Sequence, residues 1–153
     1  MLSYNNLPLL WIDSLRRKLQ MQLGAIMPAI ELHYPESFLS VLAWGDFVKT
    51  LRVVTAAAMT AKDPDDILHI LDPVAHIDVL AHEYSPITSR TTAVVMITVV
   101  TYGWPDRMRN ITERLLTIAD YVRLHVPAQL VHGGQDAVNV TFLAKGPGCW
   151  VAR

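Results

Sequence analysis

Apolar residues at Ile12, Leu15, Leu19, Leu23 and Ile26 recur three and four positions apart, opposite Asp13, Arg16, Arg17 and Gln20. That is the period of a helix with one covered face. Asn6 can cap it and Pro8 suits its first turn, so a helix is expected from about 8 to 25, ended by Met27-Pro28. Ala29 to Tyr34 then reads as a short extended segment. From Phe38 to Thr60 two signals compete. Val53, Val54 and Thr55 favour a strand, while the alanines and the Phe47, Leu51, Val54 spacing favour a helix, and the balance predicts a helix.

Asp63-Pro64-Asp65-Asp66 combines an N-cap aspartate, a proline at the first position and early carboxylates, which predicts a short helix to Leu71. Ala75, Ile77, Val79 and Ala81 then alternate with His76, Asp78 and His82, the period of a half-buried strand. After the small and hydroxyl residues of 85 to 90, Thr91 to Thr101 predicts a longer, β-branched strand. Ala93, Val95, Ile97 and Val99 line one face of it, and Thr92, Val94, Met96, Thr98 and Val100 the other. The two strands are expected to form a hairpin. Gly103 to Asp106 turns the chain into an amphipathic helix to His125, carried by Met108, Ile111, Leu115, Ile118 and Val122. Gln129 to His132 and Val138 to Ala144 read as a second hairpin across a Gly-Gly-Gln-Asp turn, and residues 146 to 153 as an irregular tail. The fold expected is α+β: one domain over 1–153, an antiparallel or mixed sheet of about four strands, and helices packed on one face.

Composition adds one point. The chain is 52% hydrophobic and 18% charged, below the quarter or so usual for soluble domains, which points to apolar surface covered by other subunits. The net charge of -1 divides into about -3 before residue 81 and about +2 after it, so no basic face advertises nucleic acid or membrane. Cys149 is the only cysteine, which excludes an internal disulfide and fits a reducing compartment. The apolar run Leu7 to Ile12 is too short for a signal peptide or a membrane span.

Candidate chemistry is sparse. His76 and Asp78 share one side of a strand and could ligate a metal with a third group such as His132. His82, six residues from His76 and roughly 20 Å along a strand, could not join that site. Solvated side chains are the preferred reading, and no metal, cofactor or catalytic residue is assigned. Asp78, His82, Glu83 and His132 are the acid and base candidates, but nothing in their spacing pairs them. Lys145 to Gly148 lacks the context of a phosphate loop. Arg107, Arg109, Arg114 and Arg123, offset by nearby acids, read as a solvated helix face on which Arg109 can pair with Glu113. Trp104 beside Pro105 reads either as a binding anchor or as packing at a helix start.

The strand pair Ala75 to Tyr84 and Arg90 to Thr101, the helix Asp106 to His125, the strand Ala137 to Ala144 and the leading helix together resemble tailed-phage tail terminator or tail-completion proteins. The resemblance implies a viral structural protein and not an enzyme. It would be a homo-oligomer, a hexameric ring that caps the tail tube in the virion and joins it to neck proteins, as a head-tail connector does. Ile87 and Arg90 at the hairpin tip and the Val94, Met96, Val100 row would make its contacts. Two rivals stand beside it. Ala93 to Ala144 also resembles a small-ligand regulatory domain of the ACT type, with its ligand near Tyr102 to Asp106. The third reading is a small cytoplasmic enzyme using the histidines and Asp78.

Overall fold

The computed structural model describes residues 28–36, 38–84, 93–133, 136–145 and 151–152. The helix expected at 8 to 25, the hairpin-tip residues Ile87 and Arg90, and Cys149 lie outside them. The first strand, β1 (Ala29–Pro35), leads into the helix α1 (Val41–Met59), so helix spacing wins over the β-branched run. Its face shows why. Phe47, Leu51, Thr55 and Met59 stand four apart and are all buried, and that packing outweighs the small propensity cost of Val53, Val54 and Thr55.

Beyond α1 come the two-residue strands β2 (Ala61–Lys62) and β3 (Leu68–His69), where a helix was expected. The cause is Asp63. Its Oδ1 accepts the N–H groups of Asp65 at 2.9 Å and Ile67 at 3.0 Å, while its own N–H donates to the Ile67 carbonyl at 3.0 Å. Asp66 takes a left-handed φ of 64°, which a short polar side chain tolerates, and the result is a tight turn. A second aspartate turn follows. Asp72 Oδ1 accepts from Val74 and Ala75, and this delays the next strand, β4, to Asp78–Tyr84.

The remaining strands are β5 (Ala93–Tyr102), β6 (Asp136–Lys145) and β7 (Val151–Ala152). The expected helix over 106–125 is split at Asn110 into α2 (Pro105–Met108) and α3 (Ile111–Arg123). Residues 128–130 form one turn of 3₁₀ helix in place of the expected strand at Gln129 to His132. The sheet runs β4-β1-β5-β6-β7. Neither predicted hairpin forms. β4 pairs parallel with β1 and β6 parallel with β5, while β1 and β5 pair antiparallel at the centre. The chain is thus two βαβ units, β1-α1-β4 and β5-α3-β6, joined through their first strands in a mixed sheet with helices on it. The fold class read from the sequence holds, and its connectivity does not.

The core lies between sheet and helices. Ile30, Leu32, Val95, Ile97 and Val99 are at most 1% exposed, and each contributes roughly 1.5 to 3 kcal/mol by leaving water. Between α1 and α3, Phe47 stacks on Tyr121 at 5.5 Å and meets Phe38 edge-on, and the Tyr121 hydroxyl donates to the Phe47 carbonyl at 3.0 Å. Thr55 Oγ1 is buried there without a hydrogen-bond partner. Thr55→Val keeps the shape and removes the stranded hydroxyl, so thermal unfolding should report about 1 kcal/mol of added stability.

Two arginines read as solvated instead tie the halves together. Arg107 is fully buried: Nε and Nη2 donate to the Met59 carbonyl at 2.9 and 2.8 Å, and Nη1 to Thr101 Oγ1 at 3.0 Å and the Tyr102 carbonyl at 2.6 Å. Arg114 reaches the carbonyls of Ala58 and Thr60 at 2.6 and 2.7 Å. Both guanidinium groups satisfy the carbonyls at the C-terminal end of α1, where the helix dipole favours positive charge. Burial, then the charge of Arg114, lowers the Arg107 pKa to about 10, still far above neutrality. Arg109 pairs with Asp106 at 3.8 Å and not with Glu113. No helix among the described residues is long and apolar enough to cross a membrane.

Candidate active site

The sheet face away from the helices carries the even residues of β5 and the odd residues of β1. Glu31 and His33 point there, because Ile30 and Leu32 between and before them are in the core. The parallel register sets His33 directly opposite His82 of β4, and Glu31 opposite Leu80. On the other side His33 faces Met96, and Glu31 faces Thr98.

The three polar side chains form one group. Glu31 Oε1 lies 3.2 Å from His33 Nε2 and 3.3 Å from His82 Nε2. The two imidazoles stack with centroids 5.1 Å apart and 23° between planes. All three are open to solvent, with side-chain exposures of 40% for Glu31, 37% for His33 and 51% for His82. An ionised carboxylate only accepts, so it favours the proton on both Nε2 atoms and leaves each neutral ring's Nδ1 as a base. A single anion can also offset one imidazolium. Such a group can remove a proton at one point of a small molecule and return it at another.

Of the acid and base residues read from the sequence, only His82 enters this group, and Glu31 and His33 went unnoticed. The available signal was their two-residue spacing on an extended segment; the missing one was the register across 49 residues of chain that brings His82 to them. His76 sits in the Asp72 turn, where its Nδ1 accepts the Asp72 N–H at 2.9 Å, so it does not share a strand with Asp78. Among the described residues no three His, Cys, Asp or Glu side chains gather as metal ligands. Of the contact residues, Val94 is buried at 2% exposure, and Met96 and Val100 are half-buried on the open face. Trp104 lies against His69 at 5.1 Å and under the Arg107 guanidinium at 4.9 Å.

A second polar cluster lies at the end of the sheet, where Lys62, Asp63, Asp66, Asp106 and Arg109 line a cleft of about 440 Å³. Its charges are spent on one another and on the backbone. Lys62 N–H donates to Asp106 Oδ2 at 2.8 Å, Lys62 Nζ bonds Asp66 at 2.9 Å, and Asp63 Oδ2 holds His69 at 2.8 Å. The His69 bond lowers the Asp63 pKa and the Lys62 N–H lowers that of Asp106, while the Ala75 and Val74 N–H groups lower that of Asp72. Carboxylates with depressed folded pKa values stabilise the fold above the unfolded value and lose that contribution as pH falls through the folded one. Urea midpoints should therefore hold steady down to about pH 5 and fall below about pH 4.

No family model matches the sequence, and no curated protein matches it. Solved structures do match the fold. A fused 4-OT solved as an asymmetric trimer is 12% identical, covering 80% of this chain and 94% of that one with a TM-score of 0.51. A 5-carboxymethyl-2-hydroxymuconate delta-isomerase is 17% identical, covering 86% of this chain and 91% of that one with a TM-score of 0.50. These neighbours overturn the phage resemblance. The strands expected to pair as hairpins belong to two βαβ units, and the fold they build is shared with a fused 4-OT and a delta-isomerase, not with tail terminators. The ring capping a tail tube, the tail and neck partners, the virion location and the non-enzymatic reading are withdrawn with it. The ACT-like alternative is withdrawn too; at its supposed ligand site near Tyr102 to Asp106, Arg107 bonds the Tyr102 carbonyl and lies over the Trp104 ring.

Proposed function

We propose that the chain is an isomerase that moves a proton between two positions of a small unsaturated or enolisable compound. His33 and His82 act as the acid and base groups, and Glu31 is the positioning residue that holds both. The observation that carries this reading is one carboxylate oxygen shared by two stacked imidazoles on an open sheet face. The chemistry needs no more than such a group supplies. Shifting a C=C bond, or turning an enol into its ketone, removes one proton, moves an electron pair through the π system and adds one proton elsewhere. The fold shared with a delta-isomerase and a fused 4-OT supports the same class.

The reading extends to a homo-oligomer in which the open face is covered, with Met96 and Val100 as contacts. Low charge content and the trimeric form of the fused 4-OT support it. The test is turnover of dienols of the hydroxymuconate type and of enolisable 2-keto acids, followed by ultraviolet absorbance and by deuterium entering the product from D2O. Catalysed conversion with deuterium at the new C–H is the expected result. No acceleration with any member of either set overturns the proposal.

A further inference from the structure

Beside the histidines the open sheet face carries a second polar row. Thr98 of β5 points to that face, because Ile97 and Val99 on either side of it are at most 1% exposed in the core. Thr141 of β6 points there too, since Val140 and Phe142 pack on the helix side. Register puts both threonines in line with Glu31: Glu31 pairs with Thr98, and Thr98 with Thr141. Neighbouring strands lie about 4.8 Å apart, so the two residues stand roughly 5 and 10 Å from Glu31 across the sheet. Both are half-buried, and each carries its hydroxyl on a stiff β-branched stem. The row through the histidines differs. There Met96 separates His33 from Asn139, so the first polar group beyond the imidazoles is two strands away.

We propose that Thr98 holds the reacting oxygen of the substrate in both of its tautomers and that Thr141 holds the next oxygen along. The compound then lies across the strands, with its carbon frame reaching back over Glu31 to the imidazoles. A hydroxyl suits this place because it both donates and accepts. The enol O–H donates to Thr98 Oγ1, and the ketone accepts from the same hydroxyl once it has turned. A lysine or arginine could only donate, and would favour one side of the reaction. In the conversion the O–H proton passes to one imidazole, and its bonding pair becomes the second C=O bond. The C=C pair takes a proton from the other imidazole to make the new C–H bond, so the protein ends with as many protons as it began with. Glu31 directs its charge to the two Nε2 atoms at 3.2 and 3.3 Å, and the threonines bind oxygen without adding charge of their own. The inference rests on the isomerase reading for its reaction, and on the register alone for its oxygen site.

Two measurements test it. Turnover is followed with the enolisable 2-keto acids, and binding by calorimetry with oxalate, which copies the paired oxygens of their enolates and cannot isomerise. Thr98→Val should lower kcat/KM about 30-fold and weaken oxalate binding about tenfold, the size of one or two lost hydrogen bonds. Thr98→Ser keeps the hydroxyl and should stay within about threefold of wild type in both, as should the control Thr112→Val, at an exposed position on α3. Thr141→Val should raise KM about tenfold with kcat nearly unchanged. Circular dichroism and thermal unfolding check that each variant is folded. A Thr98→Val protein with wild-type kcat/KM and oxalate affinity overturns the proposal, as does Thr98→Ser performing no better than Thr98→Val, or a wild type that does not bind oxalate saturably. The two readings separate cleanly. A wild type that turns over nothing yet binds oxalate through Thr98 sinks the isomerase and leaves the oxygen site standing, whereas an active wild type indifferent to Thr98 does the reverse.

Discussion

Replacing Arg107 with methionine is expected to lower stability by about 3 kcal/mol, read as a fall in the urea midpoint at unchanged slope. The substitution nearly preserves volume, so cavity formation is a minor part of the cost. The larger part comes from the Met59 carbonyl, the Thr101 hydroxyl and the Tyr102 carbonyl, which Arg107 satisfies from a fully buried position. A buried polar group stripped of its partner costs about 1 to 3 kcal/mol, and relief from burying the guanidinium returns some of it. Against a typical stability of about 5 to 15 kcal/mol the loss is large. Arg107→Lys should recover less than half, because one ammonium cannot serve Met59 and the end of β5 together. A midpoint within error of wild type for Arg107→Met would show that the link between α1 and β5 is dispensable.

For activity the largest effect is expected at Glu31. Glu31→Gln should lower kcat about 100-fold with KM nearly unchanged, and deuterium incorporation should fall in parallel. The amide keeps one oxygen but loses the charge that orients both imidazoles and offsets an imidazolium. It also brings an NH2 that can face Nε2 and reverse the ring's tautomer. Glu31 is 40% exposed, so thermal unfolding should move by no more than about 0.5 kcal/mol. An unchanged kcat would exclude the cluster from the chemistry.

What could be read from the sequence was decided by the range of the interactions. The alternation in Thr91 to Thr101 is local, and the buried row Ala93, Val95, Ile97, Val99 matched it. The Phe47 and Leu51 spacing likewise located α1 despite Val53 to Thr55. Asp63-Pro64 misled because an aspartate that caps a helix and one that closes a turn offer the same oxygen to nearby N–H groups, and the chain beyond decides between them. Exposed Ile67 and Ile70 have no helix partner to bury against. The hairpins failed for a different reason. Neighbours in sequence pair by default, but β1, more than 40 residues earlier, takes the place between β4 and β5. The candidate site was hidden by the same fact, since Glu31 and His33 meet His82 only through that placement.

The paired βαβ units hold one consequence for how this molecule can change. Two separate identical chains meeting across such a sheet would carry every substitution twice, once on each side of their shared axis. Here a peptide chain spans both halves, and the duplication need not be kept. The outward-facing row of β1 bears Glu31 and His33, whereas that of β5 bears Val94, Met96, Thr98 and Val100. One half is free to hold charge while the other stays oily, and a mutation that would ruin a symmetric pair is here made only once.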